Sequence, residues 1–214
     1  MNQYIAVDRE AVWAALFAWL KAKMWAPTWQ ANTAYALGDV RTDPQGHLQK
    51  VTTAGTSSAA MPAWNDAGGA TDDNGVVWQD TGPGLVSMGR RHIPPPDLPT
   101  SAQPALFVLG VKETHGPKPR GVPTRLILHG FLILYAPAPA ADENIGEEQL
   151  LGATTLNQLF QAIDAALEPD NLVDGTFTLG GTVSHCWVEG DTDLDPGIFG
   201  TQAAAILPIH ILVP

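Results

Sequence analysis

The apolar positions of this chain fall into two regimes, and the change between them organises everything else. Over residues 8–23, Val12, Leu16, Trp19 and Leu20 recur at helical spacing, and Asp8 stands where it can cap the first turn, so an amphipathic helix is expected. Trp13 and Phe17 widen the stripe beyond one core face, which leaves two uses open: packing on a second domain or subunit, or tighter wrapping in the same core. The pattern stops around Trp25-Ala26-Pro27. Aliphatic runs resume at Leu85, and the first extended stretch, 85–93, is closed by Pro94-Pro95-Pro96. Residues 105–114 read as a strand. Residues 124–135 form the strongest strand pattern, apolar toward both faces, so a central, doubly covered position is expected. A second helix is expected over 154–167, with Leu156, Leu159, Phe160, Ile163 and Leu167 as its stripe, Thr154 or Thr155 as its cap and Pro169 beyond its end.

Short strands follow at 175–178 and 182–188, and a last one at 203–213. Pro208 lies inside that last run and cannot donate to a ladder. An edge position, a bulge or pairing on one side is therefore expected, and covering by a neighbouring subunit would protect such an apolar edge. Between the two central strands, residues 115–123 hold Gly116, Pro117, Lys118, Pro119, Arg120 and Gly121, a basic, proline-stiffened hairpin tip suited to projection. Residues 136–149 read as an acidic, Ala/Pro-rich loop.

Residues 26–84 behave differently. They are rich in Gly, Thr, Asp and Ala, carry spaced tryptophans and almost no long aliphatics, and end in Gly82-Pro83-Gly84. The expected organisation is a discontinuous α+β domain, residues 1–25 and 85–214, with an antiparallel sheet packed by two helices. A small all-β module, residues 26–84, is inserted into it. Trp29, Tyr35, Trp64 and Trp78 either fill that module's own core or present ring faces to a glycan.

Charge narrows the functional classes. The chain of 214 residues carries a net charge of -11, which disfavours phosphate neutralisation. Arg90, Arg91, Lys112, Lys118, Arg120 and Arg125 fall in one stretch, no Lys or Arg follows Arg125, and 12 acidic residues do. These blocks either meet across a subunit boundary or form two solvated surfaces. Cys186 is the single cysteine, so no intrachain disulfide or thiolate zinc site is expected. No secretion signal or membrane-spanning run is read, and folding in a bacterial cytoplasm is expected.

Three places in the chain could hold chemistry. Asp191, Asp193 and Asp195 resemble a calcium loop, but Pro196 stands at the sixth position and Gln202 at the twelfth, so an acidic turn is expected and no metal. His185 and Cys186 are adjacent on a strand and point to opposite faces, which prevents a dyad. His129 reads as a core or interface histidine. No catalytic residue and no cofactor are expected, and a hydrolase would need a nucleophile or carboxylate pair that is not evident.

The outer segments resemble the tail terminator (tail completion) proteins of long-tailed bacteriophages. The likeness rests on element order, the N-terminal helix before an Arg-rich extended run, and the segment Pro96-Asp97-Leu98-Pro99 to Val108. It also takes in the hairpin before a strand ending at Tyr135, and the Gly180–Gly190 run. It implies a homo-hexameric ring in the virion tail, seated on the tail tube protein and later joined by the head–tail connector protein, with DNA passing through the lumen. Contact residues would include Arg90, Arg91, Lys118 and Arg120. The insert resembles small carbohydrate-binding modules of the chitin-binding kind, through Trp29, Tyr35-x2-Gly38-Asp39-Val40, Gly55-Thr56-Ser57, Pro62-Ala63-Trp64 and Asp73-x-Gly75-x-Val77-Trp78. The alternative that this implies is a glycan-binding tail-tip or decoration protein, with Trp29, Tyr35, Trp64 and Trp78 facing the sugar.

Overall fold

The computed structural model describes residues 8–116, 125–138, 151–197 and 201–213. Helix α1 spans Arg9–Met24. Asp8 accepts the Ala11 N–H at 3.0 Å and satisfies one of the first-turn donors, while Lys21 and Lys23 stand near the negative end. Six short strands follow: β1 (Ala34–Tyr35), β2 (Val40–Thr42), β3 (His47–Thr53), β4 (Gly55–Thr56), β5 (Ala70–Asp73) and β6 (Val76–Pro83). β1 pairs with β4, and the others form an antiparallel sheet in the order β2-β3-β6-β5. Asn74 and Gly75 join β5 to β6 with φ of 55 and 90, the left-handed pair that a two-residue hairpin needs. Tyr35, Val51, Val76 and Trp78 form a core separate from the main one. The chain leaves and returns at one place, for the Leu85 N–H donates to the Met24 carbonyl at 2.7 Å.

The larger sheet holds β7 (Ser87–Gly89), β8 (Ala105–His115), β9 (Leu126–Pro137), β10 (His185–Val188), β11 (Asp193–Asp195) and β12 (Gln202–Val213), with helix α2 (Leu151–Ala166) between β9 and β10. Its order is β10-β12-β9-β8-β7, and β11 lies beside β12. All pairs are antiparallel except β7 with β8. The fold is α+β. Both helices pack on one face, where Leu16, Leu20, Leu156, Leu159 and Ile163 meet Leu128, Leu132, Ala205, Ile209 and Ile211. Trp19 ties the helices together by donating its indole N–H to the Ala166 carbonyl at 2.7 Å.

Trp13 belongs to this core. Gly110 and Gly130 stand opposite one another on β8 and β9, and the Trp13 ring lies over both. The stripe is wide because the indole occupies space that two missing side chains leave.

Several expectations need correction. The described span of α2 is Leu151–Ala166, so Thr154 and Thr155 lie inside the helix and not at its cap. Residues 175–178 form no strand. There the Asp170 carboxylate accepts the Thr178 and Gly180 N–H groups, at 2.6 and 2.9 Å, and holds the segment as a turn. The extended run over 85–93 shrinks to Ser87–Gly89. β12 is an interior strand, not an edge: β9 pairs along its whole length, and β11 and β10 share its other side. Pro208 falls in the gap between those two partners, where no ladder asks for its missing donor. β12 also alternates buried and half-buried positions, so only one of its faces is fully covered. β9 is central as expected, but among the described residues its helix-free face is covered at one end, by Leu98 over Phe107, Ile133 and Tyr135. The hairpin tip with Lys118 and Arg120, and most of the 136–149 loop, lie outside the described residues.

A methyl group added at Gly130 would meet both the Leu109 carbonyl and the Trp13 ring. Gly130→Ala is expected to lower stability by about 1–3 kcal/mol through overpacking, measured as a lower urea midpoint with an unchanged slope. An unchanged midpoint would mean that the indole is not seated there.

Candidate functional site

The aromatic set converges on one carboxylate. Asp73, at the end of β5, accepts the Trp29 indole N–H at 2.8 Å and the Trp78 indole N–H at 3.2 Å on Oδ2. Its Oδ1 takes the Ser58 amide and hydroxyl at 2.8 and 2.6 Å. Burial alone would push this carboxyl up, but the bonds from Ser58, Trp29 and Trp78 outweigh it and hold the group below the usual aspartate range. Trp78 is fully buried and Tyr35 nearly so, with Arg41 lying 4.8 Å over the Tyr35 ring. These two rings therefore cannot present faces to a sugar, because a segment with few aliphatics packs them in its core. Trp29 and Trp64 remain half-buried against that core.

A second polar cluster lies beside it. Asp43 is buried and accepts the Gln45 and His47 amides, each at 2.9 Å, and the Gln49 side-chain amide at 2.8 Å. Asp80 bonds His47 at 3.1 Å and the Gly68 amide at 2.8 Å. Asp66 completes the group with one buried oxygen that has no hydrogen-bond partner. Its carboxyl is pushed up to about 6 by burial, then by the charge and contact of Asp43 and the charge of Asp80.

On the helix-free face of the larger sheet a row of rings crosses three strands. Trp187 on β10, His210 on β12 and His129 on β9 stand side by side in register. The two histidines meet at 2.8 Å through their Nδ1 atoms, His210 Nε2 lies 2.9 Å from the Glu189 carbonyl, and His129 Nε2 lies 2.8 Å from the Thr114 hydroxyl. A carbonyl only accepts, so His210 carries its hydrogen on Nε2 and receives one from His129 Nδ1. His129 Nε2 then accepts from Thr114. Burial, then His210 and Lys112, depress the His129 pKa. The row lay hidden in sequence, since its members are scattered over separate strands.

The Cys186 thiol does not join these rings. It faces the opposite side, buried in the core, where desolvation pushes it up to about 12. His185 instead accepts the Phe177 amide and stacks on Trp187 at 4.8 Å. Asp191, Asp193 and Asp195 are exposed, and among the described residues no three His, Cys, Asp or Glu side chains are placed so that they could hold a metal ion. Arg90 and Arg91 are exposed just after β7, and Arg90 is paired with Glu10 of α1. Lys118 and Arg120 lie outside the described residues. No protein-family model matches the chain, and no curated protein matches it.

Asp66 titrates above its unfolded value, so the folded state holds its proton more tightly. Its contribution to stability is present below the ordinary aspartate range and is lost as pH rises through about 6. Asp66→Asn is expected to flatten the fall in stability between about pH 4 and 6, followed by thermal unfolding across pH. A wild-type slope in the variant would refute the assignment.

Proposed function

We propose that this chain is a structural virion protein, a tail terminator subunit that forms a homo-hexameric ring at the head-proximal end of a phage tail tube. One observation carries this reading above the resemblance. Among the described residues, the helices cover one face of the larger sheet, while Leu109, Phe131, Ile206 and Leu212 lie half-buried to exposed on the other. A sheet face of this kind suits contact with further protein better than it suits catalysis. One face of the ring would stop the tail tube protein and the other would receive the head–tail connector protein. A lumen lined by the acidic half would repel DNA phosphates and let the genome pass without sticking.

A second reading has its own support. Trp29 and Trp64 are half-buried and not wholly enclosed, which fits a glycan-binding tail-tip or decoration protein acting through the insert. The two readings separate in one experiment. Light scattering with negative-stain imaging of the purified protein is expected to give a six-fold ring with a central hole wide enough for duplex DNA. A monomer that retains chitin-type oligosaccharides on a column would overturn the terminator reading.

A further inference from the structure

The two edges of the larger sheet differ in charge and in what their strands leave open. At one edge, β7 pairs with β8 over Ala105–Phe107, and among the described residues β8 has no neighbouring strand on that side from Val108 onward. Between this free stretch and α1 lies a cleft of about 500 Å³, with Trp13, Val108 and Leu128 in its lining and Arg90 and Lys112 among its polar residues. Glu10 and Glu113 also line it, but they are paired with Arg90 and Arg9. Arg91, Lys112 and Arg125 are exposed and have no salt bridge among the described residues. The edge is therefore basic, with Trp13, Val108 and Leu128 buried beneath it.

The other edge is its complement. β11 pairs with β12 on one side and, among the described residues, with no strand on the other, and it reads Asp193-Leu194-Asp195. Leu194 is 51% exposed between its two aspartates, and Glu189 and Asp191 precede it, both exposed. β12 and β9 stand between β11 and β8. At about 4.8 Å per strand, the edges lie about 14 Å apart within the sheet and face away from each other. They cannot meet within one chain.

We infer that the β11 edge of one copy docks on the β8 edge of a second copy, with Leu194 entering the cleft and Asp193 and Asp195 facing Arg91 and Lys112. The partner is this same chain. Opposite potentials set the register and steer encounter, and the free main-chain groups of the two strands supply hydrogen bonds. The contact rests on the ring reading, for which it is the repeating interface.

The test uses the full chain in three forms. Wild type is compared with an acidic-edge reversal (Asp193→Lys with Asp195→Lys) and a basic-edge reversal (Arg91→Glu with Lys112→Glu), by sedimentation velocity. Each reversal alone is expected to self-associate on the order of a hundredfold more weakly than wild type. Mixed in equal amounts, the two are expected to regain assembly, because each then meets a complementary edge in the other, and this rescue also shows that both fold. Leu194→Ala is expected to weaken wild-type assembly without changing its thermal midpoint. Oligomeric wild type with two unaffected reversals would overturn the edge contact and leave the ring reading standing, as would reversals that fail separately and are not rescued by mixing. Monomeric wild type would remove both.

Discussion

The pairing of β9 with β12 is the constraint on which the rest of this protein depends. Twelve residues of each strand lie in unbroken antiparallel register, from Gln202 against Pro137 to Val213 against Leu126. The pairing joins segments far apart in sequence and must meet the entropy of closing the intervening loop before it returns any gain. Other elements then attach to it. β8 reaches it through a hairpin, β10 and β11 add to the free side of β12, and α2 lies across both strands as the chain between them. α1 packs against α2 and β8, and its Trp13 fills the space over Gly110 and Gly130. A glycine pair has value in a sheet only where something large must approach closely, and here the indole does.

What the residues disclosed depended on how local the cause was. The α+β class, both helices, and strands β8, β9 and β12 were legible because their apolar periodicity is a property of one segment. Within residues 26–84 the strands form a sheet of their own beside Tyr35, Val51, Val76 and Trp78. Three features were not legible. Residues 175–178 have strand-like composition, but a carboxylate three-dimensionally adjacent at Asp170 captures their amides. Pro208 signalled a missing ladder bond correctly, yet its neighbours β10 and β11 leave that one place vacant and keep the strand interior. The histidine row depends on register between strands, which no single segment encodes. Of the candidate site residues, the aromatics were found as a set, but their split into buried and half-open members follows from Asp73 and Ser58, which spacing does not reveal.

The carboxylates of the small sheet illustrate a general economy. With few aliphatic residues, residues 26–84 gain rigidity from polar atoms held in a dry interior, where a satisfied hydrogen bond is strong and an unmatched one is costly. Asp73 is fully engaged, accepting from two indoles and a serine. Asp66 is not, and a proton resolves its conflict with Asp43. The first arrangement fixes the aromatic core at all physiological pH values, whereas the second ties local stability to acidity.

The placement of charge on the larger sheet has a consequence for assembly. A contact made by one patch with its own copy is self-complementary and closes as a dimer. A contact between two different patches on opposite edges is heterologous, so each copy keeps one edge free for the next. Such a contact propagates until rotation brings the last copy back to the first, giving a ring, or continues as a filament. On the proposed pairing of β11 with β8, the choice between these outcomes rests on the angle at which two sheets meet. The right-handed twist of the sheet sets part of that angle and the seat of Leu194 beside Trp13 sets the rest. The indole that fills the monomer core would then also shape the closure of the ring, which ties folding of one chain to the geometry of the assembly.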